Sequence, residues 1–481
     1  MKKKSLKINA LLNIIYTVSN IVFPMITFPY VSRVLQVDYL GKVNFFTNIA
    51  SYATMVAALG ISTYGIRAVA RSRGDKKELS RVVSELLTIN GFATAVVVAA
   101  LLCSSVLINR FRQDYILLLL NCLQILATPI GMNWLFSGLE EYSYITMRSL
   151  CVKTVSLVCV FLFVRDQSDY FIYAAILVLS AVLGYIWNFV YAHKFVRFQI
   201  HGLNVKRHIR PMLILFGSIL AINVYTHLDT IMLGFFNGDK DVGLYTTAVY
   251  IKTALLTLVN AISAVLLPRI SYYVREGKAE EIESMLNQSI SVICMIALPL
   301  TIFFIACARE TILVLGGEGY LEAVPCMIII MPVLLISGFS NITGNQILIP
   351  LEKDGCFMKA VICGAVADLL LNMILMPRYG CIGAAVATLV AELLQMSIQL
   401  YFARDYVRKS INRKSIVKIV IAAMVSSLSF LLVTQFHGAP LLMLALRAVL
   451  YFALYAGMML ILRETYFIST LEQFKHILSQ K

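Results

Sequence analysis

Apolar runs of about twenty residues recur along almost the whole of this 481-residue chain, separated by short polar segments. A helix needs roughly twenty apolar residues to cross the ~30 Å hydrocarbon core of a bilayer. With 59% hydrophobic and 14% charged residues, and a mean hydropathy of +0.81, the chain lacks the polar surface that a soluble protein of this size needs. The sequence therefore predicts an all-α polytopic membrane protein with about 14 transmembrane helices.

The predicted spans are numbered 1 to 14 in chain order. They cover approximately residues 8–34, 40–66, 81–108, 115–138, 147–164, 170–192, 212–236, 242–267, 286–308, 323–350, 358–376, 380–402, 416–434 and 442–462. The apolar run from Ile8 is too long for the core of a signal peptide, and we interpret it as the first span.

The basic residues predict the orientation of the chain. The net charge of +15 is spread between the apolar spans rather than gathered in one patch, which argues against nucleic acid as a partner. With the N-terminus inside, about 31 of the 41 Lys and Arg residues fall on or near the cytoplasmic side. We therefore expect a cytoplasmic-membrane protein with both termini in the cytoplasm and with membrane lipids as contacts.

Weak internal similarity predicts two pseudo-symmetric six-helix lobes plus two extra C-terminal helices. At an offset of 202 residues, Gly41 aligns with Gly243 and Arg67 with Arg269, in matching places relative to the spans. The predicted organisation is an N-terminal lobe (1–192), a basic cytoplasmic linker (193–211), a C-terminal lobe (212–402), a basic cytoplasmic loop (403–415), helices 13 and 14 (416–462) and a cytoplasmic tail (463–481). The tail is either an interfacial helix or partly disordered.

Three cations are candidate substrate-binding residues. Arg33 and Lys42 are predicted near the outer ends of spans 1 and 2, and Lys252 lies about ten residues into span 8. An ionisable group costs about 3 kcal/mol or more in hydrocarbon, so each must face protein, water or head groups. Arg33 and Lys42 either snorkel to external head groups or face a cavity. In a cavity, Arg33, Lys42 and Lys252 would suit a polyanionic head group.

Two carboxylates within the spans are candidate coupling or cavity residues. Asp229 lies near the middle of span 7 and Glu392 deep in span 12. Asp229 is either a structural partner, for example of Lys252, or a coupling site for a proton or cation. Asp368 is interpreted as polar contact between helices. Four further charged residues lie close enough to span ends for snorkelling to explain them: Glu85, Lys153, Arg309 and Arg447.

The motifs of enzymes and metal sites are missing from the sequence. The ten cysteines form no CxxC pair and have no metal-ligand spacing, so we expect neither a disulfide framework nor a metal site. No P-loop, GxSxG or HExxH motif occurs, and we expect no catalytic residues and no cofactor. The glycines of 316–319 are expected to form an external turn.

Several ordered fragments resemble a known family. They are Phe28-Pro29-Tyr30-Val31-Ser32-Arg33-Val34-Leu35, Leu59-Gly60-Ile61 with Tyr64-Gly65-Ile66-Arg67, Leu228 to Gly234, Val242 to Tyr245, and Pro377 to Ala385. In this order and spacing they are similar to Wzx-type lipid-linked oligosaccharide flippases, the polysaccharide-transporter branch of the multidrug/oligosaccharidyl-lipid/polysaccharide exporter superfamily. Two residues depart from the pattern: Gln36 replaces the usual glycine and Asp368 the usual asparagine.

The resemblance implies a non-enzymatic flippase that works by alternating access. Its substrate would be an undecaprenyl-pyrophosphate-linked oligosaccharide repeat unit, moved to the outer leaflet for capsule, O-antigen or exopolysaccharide synthesis. A polysaccharide polymerase and a chain-length regulator are further partners that it suggests. It also implies that spans 1, 2, 7 and 8 line much of a central cavity, where Arg33, Lys42 and Lys252 would meet the pyrophosphate. Coupling to a proton or sodium gradient stays open.

Other functions remain alternatives at this stage. A lipid II flippase for peptidoglycan would need no change of fold, and a drug/cation antiporter of related architecture is a more distant alternative. A membrane polysaccharide polymerase is disfavoured because such enzymes resemble chains with a sizeable external loop, and here the longest predicted one is about fourteen residues, 309–322.

Overall fold

The computed structural model describes residues 6–199, 201–432 and 438–479, without the side chains of 6–11, 218–227, 261–265, 432 and 473–479. Every regular element in these ranges is helical, which confirms the all-α prediction. The helices are α1 (Leu6–Ala58), α2 (Ile61–Ser72), α3 (Lys76–Leu107), α4 (Asn109–Gln113), α5 (Tyr115–Gly131), α6 (Asn133–Gly138), α7 (Tyr142–Phe163), α8 (Tyr170–Ala192), α9 (Lys206–Phe236), α10 (Asp239–Glu276), α11 (Ala279–Ala306), α12 (Ala308–Leu315), α13 (Val324–Ile330), α14 (Val333–Asn341), α15 (Asp354–Ser410), α16 (Arg413–Ser427), α17 (Ser429–Leu432), α18 (Pro440–Ile461) and α19 (Thr465–Ser479).

Eleven segments of the described chain are long and apolar enough to cross a membrane. Two of them, Leu12–Ala58 and Asp354–Ser410, have 47 and 57 residues and are each long enough for two crossings. The predicted span 212–236 lies within α9, part of whose side chains is not described. The eleven segments account for the fourteen predicted spans when each of the two long segments is counted as two crossings and the span 212–236 is added.

At two of the predicted loops between spans, one helix follows another across a single kinked residue. The chain bends within α1 at Gln36, with φ 61° and ψ 175°, and within α15 at Gly380, with φ 54° and ψ −132°. The next interruption is at Leu59-Gly60, where both residues have positive φ, and α2 then continues to Ser72. The apolar segment of membrane length therefore ends at Ala58, before the predicted end of span 2 at residue 66, and Arg67 and Arg71 lie on the separate helix α2.

The chain packs as two compact units, Met1–Gly243 and Leu244–Lys481, so the division falls inside α10. In the first unit α5 packs against α8, α7 against α1 and α8, and α2 against α6. Several of these contacts need glycine, because a Cβ at Gly65 would lie 2.7 Å from the Trp134 ring, and one at Gly243 would meet the Val37 carbonyl. The symmetry of the two predicted lobes stays a prediction.

The basic linker is docked on the first unit. Between α8 and α9, the backbone N–H groups of Arg197 and Gln199 donate to Ser80 Oγ and Ser84 Oγ of α3, at 3.0 and 2.9 Å. The N–H of Asn204 donates to Glu85 Oε1 at 2.6 Å. These side chains recur at helical spacing and satisfy backbone donors that would otherwise need water.

In the second unit α15 packs against α13 and α14, and α11 packs against α14 and α16. Between α14 and α15, Ile342–Leu348 forms a π-helix. The predicted external loop 309–322 overlaps α12 and a 3₁₀-helix, Glu318–Ala323. Between these two helices, at the glycines predicted to form a turn, Gly317 has φ 85°. The tail is helical over Thr465–Ser479, and its place at a membrane surface stays a prediction.

Of the two kinks, one places glutamine (Gln36) and the other glycine (Gly380) at a positive φ. Backbone strain of about 1–3 kcal/mol is expected for Gln36 in a conformation that glycine adopts freely. We expect Gln36→Gly to raise the thermal unfolding midpoint of the purified protein in detergent, and Gly380→Ala to lower it. Loss of stability in both variants would show that the Gln36 side chain, which donates to the Arg33 carbonyl at 2.8 Å, outweighs the strain.

Candidate functional site

The guanidinium of Arg33 is exposed on α1, three residues before the kink at Gln36. Its neighbours Ser32 and Leu35 are fully buried, so the helix turns its packed face to the first unit and Arg33 away from it. Contact with lipid head groups and contact with substrate both require this exposure. The substrate-binding role of Arg33 stays a prediction.

Lys42 lies in a compact charge cluster that the sequence analysis did not foresee. The Lys42 cluster consists of Lys42, Arg110, Asp114 and Asp239. Lys42 Nζ lies 2.9 Å from Asp114 Oδ1, and Arg110 forms an ion pair with Asp239. The Arg110 guanidinium also covers the Phe45 ring, 4.3 Å from its centroid. All four charged side chains are largely buried, and two cations balance two carboxylates, so the Lys42 charge is neutralised within the first unit.

Asp229 and Lys252 have contrasting surroundings. Asp229 of α9 is only 3% exposed and therefore faces protein rather than lipid, as the sequence predicts. Lys252 of α10 is half-buried and has no ion-pair or hydrogen-bond partner among the described residues. A half-buried ammonium of this kind is a reasonable contact for a negatively charged ligand. The pairing of Asp229 with Lys252 and their functional roles stay predictions.

Glu392 belongs to a polar ladder on one face of α15. The ladder consists of Thr388, Glu392, Gln395 and Gln399, spaced by four, three and four residues. Ser337 Oγ donates to Glu392 Oε2 at 3.0 Å, and Ser340 Oγ donates to Gln399 Oε1 at 2.8 Å. Glu392 is 7% exposed.

The ladder continues into the π-helix. Thr343 Oγ1 of the π-helix donates to Gln399 Oε1 at 2.9 Å, and Gln395 Nε2 donates to Ser340 Oγ at 3.2 Å. Single-turn π-segments inside α-helices often mark functional sites. The second unit therefore contains a hydrogen-bonded polar interior. The coupling role of Glu392 stays a prediction.

A second charge centre, the Glu85 cluster, was also missed. It consists of Glu85, Arg81, Arg207 and His208. Glu85 is 0% exposed, and its carboxylate lies 2.7 Å from both Arg207 Nη2 and His208 Nε2, and 3.2 Å from Arg81 Nε. Burial lowers the pKa of His208 despite the neighbouring Glu85 carboxylate. A neutral His208 then donates from Nε2 to Glu85 and accepts at Nδ1 from the Tyr64 hydroxyl at 2.8 Å.

Snorkelling is a wrong explanation for two of the four charged residues assigned to it, Glu85 and Arg447, and Lys153 has polar partners within the protein. Glu85 is buried and hydrogen-bonded, as described. Arg447 Nη1 pairs with Glu310 Oε1 at 2.7 Å, and Lys153 Nζ donates to Ser19 Oγ at 3.0 Å and to Asn20. The partners of Arg447 and Lys153 lie more than 130 residues away along the chain, so local sequence carries no signal for them.

The Lys42 cluster generates a double-mutant cycle. Lys42→Ala leaves the largely buried Asp114 carboxylate without its partner, and we expect it to lower the unfolding free energy by about 1–3 kcal/mol. Adding Asp114→Ala should recover part of that loss, because the charge imbalance disappears. Thermal or denaturant unfolding of the two single variants and the double variant measures the coupling. Additivity within about 0.5 kcal/mol would mean that the pair does not stabilise the fold.

The Glu85 cluster allows a comparison between a buried and an exposed carboxylate that pair with the same arginine. Glu85→Gln removes the buried charge that pairs with Arg207 and Arg81 and accepts from the Asn204 N–H, and weakening charged hydrogen bonds of this kind typically costs about 1.5–3 kcal/mol. Glu78, which pairs with the same Arg207 at 3.0 Å, is 39% exposed, so Glu78→Gln should cost less than about 1 kcal/mol. Fluorescence-detected size-exclusion chromatography after heating compares the two. Equal stability of both variants would contradict a structural role for Glu85.

The sequence and the fold are similar to those of known membrane transporters. A candidate O-antigen transporter of Escherichia coli (strain K12) is 25% identical over 409 residues, which cover 84% of this chain and 98% of that protein. The candidate flippase AglR of Haloferax volcanii is 30% identical over 173 residues, 35% of this chain and 36% of that protein. The solved structure of the lipid II flippase MurJ in an inward closed conformation aligns with a TM-score of 0.75 at 15% identity, over 96% of this chain and 100% of that one.

The MurJ alignment establishes the fold, since sequence identity is low. Family membership rests on the sequence match, which extends from residue 6 to residue 274 and so covers α1 to nearly the end of α10. That segment holds the whole first unit beyond residue 5, with the Lys42 and Glu85 clusters. More than half of the chain is matched, and the chain belongs to the family of polysaccharide biosynthesis proteins.

Proposed function

We propose that this protein is a flippase that moves a lipid-linked oligosaccharide across the cytoplasmic membrane for surface polysaccharide synthesis. The observation that carries the proposal is the match along 98% of the length of a candidate O-antigen transporter, within the family of polysaccharide biosynthesis proteins. The fold shared with a lipid II flippase supports the same class of activity. These relatives are named as transporters or flippases, which supports a non-enzymatic role.

The physical task explains why such a carrier needs polar interiors in apolar helices. The sugar head of the substrate cannot cross about 30 Å of hydrocarbon unaided, whereas the lipid tail never has to leave it. The carrier must therefore give the head group a hydrated path that opens sideways to the lipid. The buried Asp229 in the first unit and the polar ladder of α15 in the second are groups that only protein or water can solvate.

We assign the pyrophosphate contacts to Arg33, Lys42 and Lys252. Arg33 is exposed, and Lys252 has no ion-pair partner among the described residues. Lys42 is already paired with Asp114, so its contact with substrate requires that pair to open. Arginine binds phosphate oxygens in a bidentate manner and lysine acts as a point charge. Asp229 would balance these cations.

The basic residues support cytoplasmic termini in the cytoplasmic membrane. A polysaccharide polymerase and a chain-length regulator would act on the product. We propose coupling to a proton or sodium gradient through Asp229 or Glu392, and transport in proteoliposomes before and after collapse of each gradient distinguishes the two ions from an uncoupled carrier.

Deletion of the gene in its host tests the activity. We expect the complete lipid-linked repeat unit of the surface polysaccharide to accumulate with its sugar in the inner leaflet, and surface polysaccharide to disappear. Lipid extraction with mass spectrometry identifies the accumulated species. Accumulation of lipid II with cell lysis would instead assign the peptidoglycan function, and unchanged lipid intermediates would reject a flippase function.

Complementation of the deletion tests the residues. Lys252→Ala and Arg33→Ala should each lower polysaccharide export at least several-fold at unchanged protein level, while Lys252→Arg keeps the charge and should retain most export. Immunoblotting of membranes controls the protein level. Export at the wild-type rate in both alanine variants would reject the pyrophosphate role without touching the flippase assignment.

A further inference from the structure

A cationic pocket opens on the first unit beside the Glu85 cluster. The pocket has a volume of about 600 Å³ and lies among α2, the start of α3 and the start of α9. We call it the α2–α9 pocket. The lining residues that matter here are Tyr64, Arg67, Ala68, Arg71, Arg207 and Ile214.

The arginines on the pocket wall differ in whether they form ion pairs. Arg207 is occupied, because its Nη2 lies 3.0 Å from Glu78 Oε1 and 2.7 Å from Glu85 Oε2. Arg67 and Arg71 are one helical turn apart on α2, and neither has an ion-pair partner among the described residues. Glu78 also lines the pocket, but it pairs with Arg207. Two neighbouring guanidinium groups with no ion-pair partner among the described residues match the charge and the bidentate geometry of a phosphate group.

Exposed apolar side chains border the pocket. Ile66 on α2 and Ile209, Leu213 and Ile214 on α9 are exposed large hydrophobic side chains. A neighbouring groove on α9 combines such side chains with two more cations, Lys206 and Arg210. A free anion gains nothing from exposed hydrocarbon side chains, whereas a lipid presents a phosphate and hydrocarbon chains side by side. Basic pockets between membrane helices are known to suit anionic lipid head groups.

From this combination we propose that the α2–α9 pocket is a binding site for the phosphate head group of an anionic membrane lipid, with its acyl chains along the exposed isoleucine and leucine side chains of α9. The site binds one lipid through Arg67 and Arg71. It is a site for a bilayer component, so it does not depend on which lipid-linked sugar the protein carries.

Native mass spectrometry of the full-length protein tests the site. The protein is delipidated in detergent and titrated with phosphatidylglycerol, with phosphatidylcholine as the neutral comparison. We expect one saturable phosphatidylglycerol adduct whose apparent Kd rises at least tenfold in Arg67→Gln/Arg71→Gln. The matched control is Arg404→Gln/Arg408→Gln, which removes two exposed guanidinium groups one turn apart on α15 and should leave the adduct unchanged.

Two further measurements separate loss of the site from misfolding, and a lipid from a free phosphate ion. Ala68→Glu adds a carboxylate to the pocket while keeping both arginines, and it should weaken the adduct even if the double variant folds poorly. Inorganic phosphate at millimolar concentration should leave the phosphatidylglycerol adduct in place. Equal binding by wild type, the pocket variants and the α15 control would overturn the site. Displacement of the lipid by inorganic phosphate would overturn the lipid as its occupant.

Discussion

A charged group inside an apolar helix has to be solvated by protein, and this constraint organises the first unit. Glu85 is fully buried yet accepts hydrogen bonds from the linker backbone and pairs with Arg207 and Arg81. The same arrangement fastens the linker to α3. Lys42 and Asp114 satisfy each other in the same way near the kink of α1. Forming such pairs costs desolvation free energy, which offsets much of the attraction between the charges, whereas removing one partner leaves a buried charge uncompensated.

Backbone geometry is the second device that shapes both units. The kinks in α1 and α15 join two predicted spans without an intervening loop, and each kink has a residue with positive φ, Gln36 or Gly380. Glycines in the family-like fragments serve close packing: a Cβ at Gly65 would meet Trp134, and one at Gly383 would lie 2.6 Å from the Leu375 carbonyl oxygen. The fragments that carry the resemblance are therefore largely positions where helices bend or touch.

Much of the architecture follows from the sequence, because apolar length and charge distribution are local properties. The helical class, the segments that form spans and the burial of Asp229 and Glu392 were all predictable. The ion pairs were not, since Asp114 lies 72 residues from Lys42 and Glu310 lies 137 residues from Arg447. Snorkelling was a reasonable local explanation for Glu85 and Arg447, but only the fold shows that their partners are inside the protein. The π-helix and the two kinks likewise depend on tertiary packing.

The central claim is that this chain moves the head group of a lipid-linked oligosaccharide between leaflets. It is tested most directly with the purified protein in proteoliposomes that contain a fluorescent lipid-linked oligosaccharide, by adding a membrane-impermeant reagent that destroys the head-group signal. We expect head groups initially protected in the inner leaflet to become accessible in protein-containing vesicles and to stay protected in protein-free vesicles. Equal protection in both kinds of vesicle, under every imposed ion gradient, would contradict it.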